Sequence, residues 1–197
     1  MRVYTIQPES LLGKLSINKK IKCDNRLILS KNFKQPYLWK INQAKKFCLQ
    51  WEGQNPFWVW LEKPDLRKSR YFFDDRKPNS LDMVLLELEI PQTSILISDF
   101  SLWHFVLNQT YLPFDEQDDL EFDKLSNNKH YSQLNKKLKA KVESSWLRCL
   151  KLNENSLTKF NSDYLDSPQI LQGIIPYLEQ KQIISIKKFK MLNKSKI

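Results

Sequence analysis

A chain of 197 residues with 41% hydrophobic and 12% aromatic residues can build one domain, 1–197, around a true core, which excludes general disorder. Three glycines exclude glycine-rich phosphate loops and two histidines exclude a multi-histidine metal centre, while three dispersed cysteines (Cys23, Cys48, Cys149) point to reduced thiols. The net charge of +10 leaves two readings open, a polyanionic partner such as nucleic acid or a surface merely solvated by lysine.

That charge is uneven. Residues 1–47 hold eleven Lys or Arg against Glu9 and Asp24, and residues 181–197 add six lysines and no acid. No apolar run approaches the roughly 20 residues that a membrane span needs. The opening residues lead directly into strand-like sequence without a signal-peptide hydrophobic region, so the expected location is cytoplasmic.

Arg2 to Gln7 reads as a strand with Val3, Thr5 and Gln7 on one face and Tyr4 and Ile6 on the other. Pro8 suits the first turn of a short helix carrying Leu11, Leu12 and Leu15. From Pro36, the spacing of Leu38, Ile41, Ala44, Cys48 and Trp51 predicts a helix with one apolar stripe. Phe57 to Leu61 predicts a strand with Trp58 and Trp60 on one face, either core packing or a base-stacking platform. In the polar loop that follows, Arg67 and Arg70 could clamp a phosphate, because guanidinium forks bind it bidentately.

The central stretch, Met83 to Asn108, is the longest uninterrupted run of structure signals. Met83 to Ile90 alternates Leu85, Glu87 and Glu89 against Leu86, Leu88 and Ile90. Pro91 ends that strand, Ile95 to Ile97 forms another, and Asp99 or Ser101 caps a helical turn with Phe100 and Trp103. The Glu87 and Glu89 pair is either a site or the solvent face of a half-buried strand. Residues 113–131 read as an acidic, mobile loop. Ser132 to Leu152 predicts the clearest helix, with Leu134, Leu138, Val142, Trp146, Cys149 and Leu150 inward. Gln169 to Ile175 and Ile183 to Phe189 predict two final strands. The order gives α+β with mixed, mostly antiparallel sheets and flanking helices.

Four segments carry a resemblance: MRVYTIQPESL, ELEIPQTSILISDFSLWHFVLN, ESSWLRCL and QILQGIIPYLEQKQIISIKKFK. Together they resemble a family of small bacterial proteins catalogued only as a domain of unknown function. More distantly, YTIQPESLLGKL and QILQGIIPYLEQKQIISIKKF resemble the entry and the late catalytic segment of ADP-ribosyltransferases, including the toxin branch that modifies DNA. That likeness implies two small sheets holding NAD in a cleft between them. It implies a cofactor contact at Thr5 or Gln7, and a ribose contact at Gln172 where the family has Glu. Gln supplies no negative charge to the oxocarbenium-like transition state, and losing one such contact costs on the order of 10²–10³ in rate. Glu87 or Glu89 would restore a carboxylate if their strand lines the cleft.

The expected function is therefore an NAD-binding, ADP-ribosyltransferase-like protein, a toxin or phage-defence effector acting on nucleic acid. Its expected site is Gln172, Glu89 and Glu87 for catalysis, with Thr5, Gln7, Arg67, Arg70 and Tyr71 on the cofactor. The alternative is a non-catalytic nucleic-acid or nucleotide-binding module with a degenerate site. A third reading, a ribonuclease using His104 or His130 as general base, stands against a structural role for His104 on a buried helix. The first reading places the two chain ends as neighbouring strands beside a pocket ringed by arginine and lysine.

Overall fold

The computed structural model describes residues 1–15, 20–23, 33–48, 51, 55–66, 80–152 and 170–192. Period-two apolar patterning yields six strands: β1 (Arg2–Pro8), β2 (Phe57–Trp60), β3 (Ser80–Glu89), β4 (Leu96–Asp99), β5 (Leu171–Ile175) and β6 (Ile183–Leu192). They form one sheet in the order β4-β5-β2-β1-β3-β6, antiparallel at every pair. The joins are unequal. β1 pairs with β3 at seven positions and β3 with β6 at nine, yet β1 meets β2 only at Tyr4↔Trp60. The sheet is thus two three-stranded halves, β4-β5-β2 and β1-β3-β6, hinged on one residue pair. The chain ends are not neighbouring strands, because β3 lies between β1 and β6.

Both faces of the sheet are packed. On one, Val3, Phe57, Val59, Val84, Leu86, Leu88 and Ile175 form a buried cluster. A 3-10 helix, Glu9–Lys14, covers it with Leu11 and Leu12. On the other, Leu96 and Ile174 meet Ile41 and Ala44 of α1 (Lys34–Phe47) and its C-cap, Cys48. Beyond them Trp103 and Val106 of α2 (Phe100–Leu107) pack with Val142 of α4 (Lys136–Ser145) and with Trp146. Each such aliphatic side chain contributes roughly 1.5–3 kcal/mol on leaving water. Gly173 on β5 is needed for this fit. A Cβ there would lie 2.6 Å from Cδ1 and 2.7 Å from Cγ1 of buried Ile95.

Residues 113–131 depart from the expected loop, since Glu116–Ser126 forms a helix, α3. Asp115 caps it by accepting from the Asp118 N–H at 2.9 Å, and Asn127 ends it with φ 51° in the left-handed region. Its inner face is anchored by Phe122, stacked on Tyr111 at 4.1 Å. Asp118 then accepts from the Tyr111 hydroxyl (2.8 Å) and the Phe114 N–H (2.7 Å), and pairs with Arg148 at 3.3 Å. The acidic composition suggested solvation, but capping and one aromatic stack order the segment. The predicted helix from Ser132 to Leu152 is shorter. α4 ends at Ser145 and continues as a 3-10 helix, Trp146–Leu150. Leu38, placed on the inner stripe of α1 by spacing, is 45% exposed.

Candidate functional site

Strand register brings together what no single strand shows. Ser185 pairs with Glu87, Glu87 with Tyr4, Tyr4 with Trp60, Trp60 with Gln172, and Gln172 with Ser98. Residues directly opposite on neighbouring strands project from the same face. These six therefore make one polar and aromatic row across all six strands, about 24 Å long at ~4.8 Å per strand. It crosses the hinge between the half-sheets at Tyr4 and Trp60.

At one end, Gln172 is only 4% exposed and its Nε2 has no hydrogen-bond partner. Leaving a buried donor unmade costs about 1–3 kcal/mol, so this carboxamide is an unusual choice for a position among Leu96, Ile174 and Trp60. Beside it Ser98, wholly buried, accepts a hydrogen bond from the Lys40 ammonium. Lys40 is 1% exposed and its Nζ lies over the rings of both Trp103 (4.5 Å) and Trp58 (5.1 Å). No carboxylate pairs with it among the described residues, and burial lowers its pKa to about 8. Burial also pushes the neighbouring Cys149 thiol up to about 11, against the pull of the Lys40 charge. Aromatic rings enclose this end. Trp58 donates to the Tyr37 hydroxyl at 3.2 Å and tilts on Trp103 at 5.3 Å, while Trp60 lies 5.2 Å from Phe100.

At the other end, Glu87 pairs with Arg2 at 3.6 Å and accepts from the Ser185 hydroxyl at 3.0 Å. Glu89 shares that face by register with Arg2, but its side chain is 64% exposed and lies 3.7 Å from the N-terminal ammonium. Glu87 stands three strands from Gln172, about 14 Å away. A charge at that range is worth only about 1 kcal/mol at an effective dielectric of 20, against about 4 at contact. Neither glutamate supplies the carboxylate that Gln172 lacks.

Thr5 and Gln7 are not in this row. They lie on the opposite face of β1 with Val3, as their alternation with Tyr4 requires. Thr5 donates to the Trp58 carbonyl (2.8 Å), a bond that ties β1 to β2 from behind, and accepts from Gln7 Nε2 (2.8 Å) within β1. Tyr4, not Thr5 or Gln7, is the β1 side chain on the Gln172 face. Arg67, Arg70 and Tyr71 lie outside the described residues.

His104 is exposed, not buried, with Nδ1 2.9 Å from the Phe100 carbonyl and its ring edge-on to Phe100. It borders a surface groove with Ser101, Phe105, Asn108 and Thr110. His130, also exposed, contacts Ser132 through Nδ1. Among the described residues no three His, Cys, Asp or Glu side chains converge as metal ligands.

Sequence reasoning missed Lys40, Ser98 and Tyr4. Lys40 lies one position before Ile41 and four before Ala44, within the helical stripe, which was its available signal. Its charge argued for solvent. Ser98 alternates in phase with Leu96, which would have marked it as inward-facing.

A family model described as a domain of unknown function (DUF3841) matches residues 2–183 of the chain. No curated protein and no solved structure matches it.

Proposed function

The chain belongs to the DUF3841 family, whose description assigns no activity, and we propose, from the distant resemblance of its two ends, that it is an NAD-binding, ADP-ribosyltransferase-like protein. The observation that carries this reading is the unpartnered carboxamide of Gln172, in the cross-strand row at the hinge of the two half-sheets. A buried donor without an acceptor is what a ribose hydroxyl would satisfy. Trp60 and Tyr4 stand next along the row, where the flat nicotinamide ring would stack. Transfer to nucleic acid, as by a toxin or phage-defence effector, accords with the +10 charge.

One feature favours a second version, a nucleotide-binding module that turns over little or nothing. Gln172 is neutral, and Glu87 is about 14 Å off by strand spacing, so neither Gln172 nor Glu87 sets an anion against a developing cation.

Calorimetric titration with NAD tests binding, and labelled NAD with cellular nucleic acid tests transfer. Gln172→Ala should weaken NAD binding at least tenfold, and Gln172→Glu should raise transfer on the order of 10²-fold. Absence of binding at millimolar NAD, or equal binding by Gln172→Ala, would end the reading. Binding without transfer in every variant would select the module.

A further inference from the structure

Independently of the NAD reading, we propose that β6 is a docking edge for an extended acidic peptide of another protein, one that also carries aliphatic side chains. β6 is an edge strand of ten residues, paired to β3 on one side alone among the described residues. Glu87 pairs with Ser185 and Leu88 with Ile183, so Ile184 is the extra residue of a bulge. From Ser185 to Leu192 the register with β3 is unbroken over eight pairs. Such an edge presents backbone N–H and C=O groups that a further strand can pair.

The side chains choose the occupant. Ile184 and Ile186 are 45% and 47% exposed, an uncommon feature for aliphatics on an edge. With Ile183, Leu12 and Leu15 they line an open groove of about 380 Å³ between β6 and the Glu9–Lys14 helix. By register Lys188 and Lys190 share the face of Ile186, so an added strand would set an aliphatic side chain toward the groove and acidic ones farther along the same face. Lys187, Lys188 and Lys190 crowd the same strand, and β6 contains no acid. Lys188 already pairs with Glu9 at 2.6 Å, showing how an acid sits against this edge.

A second copy of β6 would set lysine against lysine, which is unfavourable across a strand pair. Lysine on an edge also discourages self-association, and the same charges make the edge selective for acid. Nucleic acid would use the lysines but leave the apolar groove unfilled.

The test uses an acetylated, dye-labelled eight-residue peptide of glutamate and isoleucine, with isoleucine set opposite Ile186 and glutamate opposite Lys188 and Lys190, and a twin carrying lysine for glutamate. Fluorescence anisotropy should show binding of the acidic peptide and at least tenfold weaker binding of the twin. Hydrogen exchange should slow in the amides of residues 185–192. Ile186→Glu and the pair Lys187→Glu with Lys190→Glu, all at exposed positions, should each weaken binding at least tenfold with unchanged circular dichroism. Three results would overturn the proposal: no binding, equal binding of the twin, or no protection at 185–192. So would β6 protection arising only from self-association in ultracentrifugation, or only from a 20-nucleotide oligomer.

Discussion

Lys40→Met gives the most direct measure of what the buried ammonium costs. In the folded chain its pKa falls from 10.5 to about 8, through burial first. Below pH 8 the amine is protonated in both folded and unfolded states, so the penalty is fully present. Between pH 8 and 10.5 this amine is more protonated in the unfolded chain than in the folded one, so its contribution to stability rises with pH as the penalty is relieved. A shift of 2.5 units (10.5 − 8) is about 3 kcal/mol at ~1.4 kcal/mol per unit, of which about 2 is recovered between pH 7 and 9.5. Methionine keeps the aliphatic bulk but loses two cation–π contacts of about 0.5–2 kcal/mol each, and strands the Ser98 hydroxyl. At pH 7 these losses roughly cancel the relief, so the variant should be about as stable as wild type. The difference between the two should then change by about 2 kcal/mol in favour of wild type by pH 9.5. Cys48 and Cys149, both pushed up to about 11 by burial, are common to both proteins and stay protonated over this range. Urea unfolding under reducing conditions at several pH values measures it. A difference that stays flat with pH would refute a buried, charged Lys40.

Gly173→Ala should destabilise by about 1–3 kcal/mol in thermal or urea unfolding, because the new methyl meets Ile95 and overpacks the sheet. Arg148→Ala should cost about 1.5–3 kcal/mol, since Arg148 donates to the Leu112 carbonyl as well as pairing with Asp118. Burial alone would raise the Asp118 pKa, but the Phe114 N–H, the Tyr111 hydroxyl and Arg148 outweigh it and lower it. Its stabilisation is therefore present at neutral pH and lost as pH falls through its folded pKa. Asp118→Asn should flatten acid unfolding followed by circular dichroism. Binding of a mixed-sequence oligonucleotide should weaken steeply with salt, with a log–log slope of about −0.9 per phosphate neutralised on a duplex, read by anisotropy. A slope near zero would remove nucleic acid from the partners.

The residues themselves determined whatever depends on local periodicity. The two faces of β1 and β3 were legible because alternation is a property of a single strand. The cap at Asp99 was legible because a short acceptor before an apolar run is a local signal, and its carboxylate accepts the Leu102 N–H at 2.9 Å. The inward stripe of α1 from Ile41 to Cys48 follows from helical spacing. Which faces of different strands coincide is another matter, since that depends on register set by distant pairing. Only the folded sheet decided that Gln172 shares a face with Tyr4 and not with Thr5 or Gln7, and that β3 parts the chain ends. Tertiary packing likewise put Lys40 against two indoles and ordered α3 against Tyr111, because burial is conferred by partners far along the chain.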